Sequence, residues 1–216
     1  MRAKCFCFLN NIAIGAKFAL SHLGVRRVLI VDVDVHMGDG TLECIGNDEN
    51  ILLVSLHRSD CNSFYPTHAD HAEGGRHILI PWTDGHLGDP EYAVAFDQLV
   101  LPIAYSFAPD LVLVSAGFDA LKGDPLGEYQ VSATCLATAV HGLSAVAPLV
   151  AVMEGGYKPE VLAEGVASMV NTLAERRVKG SEARSSPPPR PNPTALNTIR
   201  SVRAKIAGSF GLLGKN

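Results

Sequence analysis

The chain has 216 residues, 47% of them apolar, a formal net charge of -4 and five cysteines. That length and apolar share are enough to bury the core of one globular domain. No apolar run approaches the roughly 20 residues of a membrane-spanning helix. The cysteines, odd in number and scattered without finger spacing, speak against a zinc finger or a secreted disulfide scaffold and point to a reducing intracellular compartment. Charge is uneven: residues 1–174 carry 9 Lys/Arg against 20 Asp/Glu, and residues 175–216 carry 9 against 2. The acidic body is therefore not a nucleic-acid surface, and the basic tail is a solvated end or a contact for an acidic partner.

The N-terminus, MRAKCFCFLNNIAIGAKFAL, places basic residues before an apolar stretch as a signal peptide does. The Asn10-Asn11 break and the amphipathic continuation through Lys17 and His22 instead predict a core helix over 11–23. Cys5 and Cys7, too close for a CxxC pair, read as small apolar residues. A strand over 28–35 follows, then a short helix near Leu42 and a strand over 51–56. Apolar residues recur at helical spacing over 90–106, ahead of a strand over 111–115. A helix over 131–146, a strand over 149–153 and a helix over 159–173 complete the alternation. This pattern predicts an α/β fold with a parallel sheet covered by helices on both faces. Residues 1–175 form the domain, 176–193 a basic Pro-rich loop, and 194–206 an amphipathic helix leading into the tail.

Within the strand over 28–35 the sequence VDVDVHMGDGT carries the chemistry. Side chains of an extended chain alternate, so Asp32, Asp34 and His36 share one face while Val31, Val33 and Val35 take the other. Burying two carboxylates and an imidazole is costly unless they are paired or hold a cation, so a metal is the economical explanation. Three later strand ends also carry polar segments: SLHRSDCNSFYP, SAGFDALKGDPLG and EGGY. Carboxyl edges of parallel strands are where open α/β sheets gather their sites, so Asp34, His36, Asp124 and Tyr157 are expected to converge. One His with two carboxylates suits zinc with an open position, and also iron or cobalt. His57 reads as a core histidine, Asp119 as a loop anchor through backbone hydrogen bonds, and His68 with His71 as a solvated loop.

VDVDVHMGDGT, SLHRSDCNSFYP, PDLVLVSAGFDALKGDPLG and MEGGY, in this order over residues 6–173, resemble the motifs of the zinc-dependent histone deacetylases, especially class II and the acetylpolyamine amidohydrolase-like relatives. The resemblance implies the arginase/deacetylase fold and metal-assisted hydrolysis of N-acetyl-lysine amides in histones or other proteins, with Zn2+ and K+ as cofactors. By that likeness Asp34, His36 and Asp124 are the zinc ligands and Tyr157 the catalytic hydroxyl. Asp32, Ser55 and main-chain carbonyls of Asp34, His36 and Leu56 hold the monovalent cation. Phe6 and Tyr65 wall the substrate channel, and Asp32 and Asp39 orient two imidazoles. No direct nucleic-acid contact and no membrane are implied.

Three positions depart from the pattern. The family carries a Pro-Gly-His-His segment upstream of its GFCFxN-like stretch. None of the eight histidines here lies in such a motif, so the chain reads as N-terminally truncated, with Asp32 and Asp39 lacking the imidazoles they would orient. Cys5 stands where glycine is usual, and Met37 replaces a common second histidine. Two alternatives to the protein deacetylase stay open: a catalytically impaired metal-binding fragment with an interaction role, and an acetylpolyamine amidohydrolase.

Overall fold

The computed structural model describes residues 4–60, 64–66, 77–175 and 190–210; His68, His71 and most of the Pro-rich loop lie outside them. Helix α1 (Asn11–His22) is capped by Asn10, whose side-chain oxygen accepts the Ala13 N–H at 2.8 Å. It leads into β1 (Val28–Asp32), α2 (Asp39–Ile45), β2 (Ile51–Arg58) and β3 (His77–Trp82). Next come α3 (Asp89–Ala95), a π-helical turn (Phe96–Val100), α4 (Leu101–Phe107), β4 (Leu111–Ala116), α5 (Ala133–Ser144), β5 (Leu149–Met153), α6 (Pro159–Glu175) and α7 (Pro193–Phe210). No helix among the described residues is long and apolar enough to cross a membrane.

The five strands form one parallel sheet in the order β3-β2-β1-β4-β5. β1, β2 and β4 are aliphatic runs buried along almost their whole length, as parallel strands covered on both faces must be. Leu29, Val31, Val33 and Val35 join the larger core, shared with α3, α4 and α5, while Val28 and Ile30 join the smaller core under α1. β5 lies at one edge and is half covered, with Val150 and Met153 exposed.

Two elements differ from the sequence expectation. β3 was not foreseen; its run HILIPW contains Pro81, which lacks an N–H, and β3 takes the other edge of the sheet, where that loss is tolerated. The helix expected over 90–106 is interrupted by the π turn. α7 buries Ala195, Ile199, Val202 and Ala207, and Asn192 ties its start to the body by donating its backbone N–H to Glu91 at 2.9 Å.

Candidate metal centre

The chain leaves β1 for β2 on one side of the sheet and reaches β4 on the other, so the strand order reverses between β1 and β4. Crevices form at the carboxyl ends of strands at such a reversal. Past the end of β1 the alternation of faces persists: Val33 and Val35 stay buried in the larger core while Asp34 and His36 face the crevice. β1 and β4 pair in parallel with Val28 opposite Leu111 and Asp32 opposite Ser115. Continuing that register sets Asp34 level with Gly117 and His36 level with Asp119. Gly117 is required by space, since a Cβ there would collide with the backbone and carboxylate of Asp34.

His36 Nδ1 lies 2.9 Å from Asp34 Oδ1 and 3.1 Å from Asp119 Oδ2. The other Asp119 oxygen accepts the Val35 N–H at 2.9 Å, and Asp34 Oδ2 accepts the Gly155 N–H at 3.3 Å. One ligand atom from each of Asp34, His36 and Asp119 falls within 4.8 Å of the others. Phe64 stacks on the imidazole, ring centroids 4.8 Å apart and 12° from parallel, and the Arg58 guanidinium lies over the Phe64 ring, 4.5 Å from its centroid. The ring is thereby fixed with Nδ1 aimed at the two carboxylates.

Electrostatics single out this point. Burial disfavours a charged imidazole, but hydrogen bonds to Asp119 and Asp34 outweigh it and push the His36 pKa up to about 10. Burial, then the charge of Asp34 working against the hydrogen bond from His36, pushes Asp119 up to about 6. Asp32 is fully enclosed, and burial followed by the Asp34 charge drives its pKa well above the ordinary carboxylate range. Glu154 is raised by burial and by Asp34 as well. Two carboxylates on one imidazole, with Asp32 and Glu154 near enough to feel the Asp34 charge, are short of positive charge, and a cation is what such a cluster accommodates. One imidazole nitrogen and two carboxylate oxygens, open toward a cavity, are a donor set that fits zinc.

The expected ligand Asp124 is not in this cluster. Its Oδ1 accepts the Leu126 and Gly127 N–H groups at 2.8 and 3.1 Å, and its Oδ2 accepts the Tyr157 N–H at 2.7 Å. It is a loop anchor, and Asp119, read from sequence as the anchor, supplies the third carboxylate. The reason is register: five residues beyond Asp119 the chain has already turned away from the level of His36.

Phe6, Asp32, Asp39, Tyr65 and Tyr157 line, with Asp34 and His36, one cavity of about 370 Å³. The Phe6 ring meets Tyr157 edge-on at 5.9 Å. Tyr65 donates its hydroxyl to Asp39 Oδ2 at 3.1 Å, and the Lys4 ammonium sits 3.2 Å from the same oxygen. Asp39 thus has partners that the sequence did not suggest. Ser55 lies opposite Asp32 in the β1–β2 register, its hydroxyl 3.1 Å from His57 Nδ1, and Leu56 follows in the buried strand.

Comparison with known proteins identifies the family. The chain matches the histone deacetylase domain over residues 1–173. It belongs to the histone deacetylase family. Its relatives include Histone deacetylase 6 of Caenorhabditis elegans, 38% identical over 94% of this chain and 23% of that one. Polyamine deacetylase HDAC10 of Mus musculus is 42% identical over 79% of this chain and 27% of that one. Among solved structures, the HDA15 HD domain superposes with a TM-score of 0.87 at 32% identity, over 98% of this chain and 60% of that chain. The deacetylase Clr3 superposes at 0.83, also at 32% identity, over 95% and 36%. The chain spans less than a third of the length of these two curated relatives, and its sheet and flanking helices are those of the arginase/deacetylase fold.

Sequence reasoning missed Asp119 as a member of the cluster, Phe64 as the face that clamps His36, and Lys4 as the partner of Asp39. The signal for Asp119 was present: aligning the aliphatic runs VLIVD and LVLVS, each followed by polar residues, gives the offset that sets residue 119 beside 36.

Proposed function

We propose that the chain is the metal-binding part of a zinc-dependent deacetylase that hydrolyses N-acetyl-lysine amides of histones or other proteins in the cytoplasm or nucleus. The observation that carries this reading is the convergence of Asp34, His36 and Asp119 beside a cavity whose wall also holds Tyr157. A zinc ion held by those three residues supplies a Lewis acid that polarises an amide carbonyl and acidifies water.

The chain's own residues do the rest. Burial, then the charges of Asp119 and Asp34, raises the Tyr157 pKa above its ordinary value. Its hydroxyl therefore stays protonated at neutral pH and donates to the carbonyl oxygen as negative charge develops there. Phe6 and Tyr65 pack the methylenes of a lysine stem, a contact that favours the uncharged acetylated side chain over a free ammonium. Asp32, with the Ser55 hydroxyl and the main-chain carbonyls of Asp34, His36 and Leu56, holds a potassium ion, which offsets the cost of enclosing the Asp32 carboxylate. The 216 residues contain no adjacent pair of histidines. Proton transfer to the leaving amine is assigned to the family's Pro-Gly-His-His segment. Relatives named polyamine deacetylases support acetylated polyamines as a second substrate class.

The test is release of acetate from an acetyl-lysine peptide by zinc-loaded protein joined to that segment, beside its His36→Ala variant. Hydrolysis abolished by His36→Ala is expected. Inactivity toward every acetyl-lysine peptide and acetylpolyamine offered overturns the reading.

A further inference from the structure

Cys5 and Cys7, read from sequence as small apolar residues, are both free, exposed thiols. Both lie on the wall of the cavity that holds the metal cluster. They sit on a tight turn in which Lys4 and Cys7 exchange two backbone hydrogen bonds, 3.1 and 2.9 Å. The Lys4 end is anchored, its ammonium 3.2 Å from Asp39 and 3.3 Å from Glu43. Cys5 adopts φ 49°, in the left-handed region where a side chain costs about 1–2 kcal/mol and glycine costs nothing. A thiol held at such a position invites a chemical reason.

The residue between the two cysteines is Phe6, whose ring contacts Tyr157 at 5.9 Å. In a tight turn, residues two apart come closer than the roughly 7 Å Cα separation of an extended chain, into the range of about 4.4–6.8 Å that a disulfide spans. Joining the sulfurs has to rearrange the residue they enclose. A bridge over so short a loop is strained, hence easily reduced, which suits a reversible modification rather than a structural bond.

We propose that Cys5 and Cys7 are an oxidisable dithiol at the mouth of the metal cavity, closed by hydroperoxides into a disulfide that shifts Phe6 off Tyr157. In the first step Cys5 attacks the peroxide: the O–O bond breaks, an S–O bond forms, and water or an alcohol leaves. Cys7 sulfur then attacks Cys5 sulfur, the S–O bond breaks and a second water departs with the thiol proton. Two thiols are oxidised and one peroxide is reduced. Burial, and then the negative charges of Glu154 and Cys5, raise the Cys7 thiol above its ordinary pKa, in keeping with a resolving rather than an attacking role.

The significance of the switch rests on the deacetylase reading, but its first test does not. The protein is treated with equimolar hydrogen peroxide, remaining thiols are alkylated, and peptides are mapped by mass. A Cys5–Cys7 link, lost on adding dithiothreitol and absent in Cys5→Ser and in Cys7→Ser, is expected while half-buried Cys44 and Cys135 are still alkylated. Oxidation of Cys44 or Cys135 before any such link overturns the dithiol. In the second test, the zinc-loaded protein is titrated with a hydroxamate-bearing fluorescent ligand. Oxidation should weaken binding at least tenfold, dithiothreitol should restore it, and Cys5→Ser should not respond. Equal affinity in both redox states overturns the effect on Phe6. Absence of hydroxamate binding in reduced protein counts against the deacetylase reading, while the dithiol is judged by the mass map.

Discussion

Replacing Asp124 by alanine separates anchoring from metal binding. Asp124 as a residue is 5% exposed, and its carboxylate accepts three backbone N–H groups at 2.7–3.1 Å, one of them from Tyr157, 33 residues away. Hydrogen bonds to a charged acceptor contribute about 1.5–3 kcal/mol each, and a buried donor left without a partner costs a similar amount. The three share one acceptor and one loop, so their sum overstates the loss. Allowing for water entering the space left by the side chain, the variant should be destabilised by about 3–5 kcal/mol, a large part of a typical domain stability of about 5–15 kcal/mol. Urea denaturation in the presence of chelator, compared at equal m-value, measures this. Zinc content measured on the native variant should stay near that of the parent, because no Asp124 oxygen points into the cluster. An Asp124→Ala protein of unchanged stability that has lost its zinc would refute the reasoning.

Tyr157→Phe, tested in the hydrolytically competent protein, should retain zinc and lose about 10²-fold or more in kcat, since it removes a single donor to the developing oxyanion; unchanged kcat argues against that role. Zinc affinity should depend on pH. With its pKa near 10, His36 holds a proton on Nδ1 at pH 8 while Asp119, near 6, is ionised. Binding therefore displaces about one proton, and affinity should rise about tenfold per pH unit between pH 7 and 9 and level off near pH 10. A flat competition titration contradicts this. In metal-free protein the sign reverses: the raised His36 pKa stabilises the fold fully below about 6.5, and that contribution is lost as pH climbs through about 10. Gly117→Ala should cost about 1–3 kcal/mol by overpacking against Asp34 and weaken zinc more than it weakens the fold, read by comparing melting with and without metal.

The parts of the fold legible in the sequence were those written locally. Aliphatic runs and helical spacing give four of the five strands and most helices, and the alternation VDVDVH puts Asp34 and His36 on one side. β3 escaped because an edge strand with alternating, half-buried residues and a proline has no long apolar run. The π turn at Phe96–Val100 leaves the helical apolar period almost unbroken, so nothing in the pattern marks it. Asp119 and Asp124 are both acids in the loop after β4, and composition alone does not choose between them. The choice is made by the β1–β4 register and by the space at Gly117, both of which depend on a contact across 83 residues. Cys5 and Cys7 likewise look apolar in sequence and become exposed thiols only through the turn that joins Lys4 to Cys7.

The most direct test of the central claim is anomalous diffraction at the zinc edge from crystals of the zinc-loaded protein. The account predicts one strong peak within about 2.0–2.2 Å of His36 Nδ1 and of carboxylate oxygens from Asp34 and Asp119, with Asp124 still bonded to the Tyr157 backbone. A peak coordinated by Asp124, or none at His36 in protein that carries zinc, would contradict it.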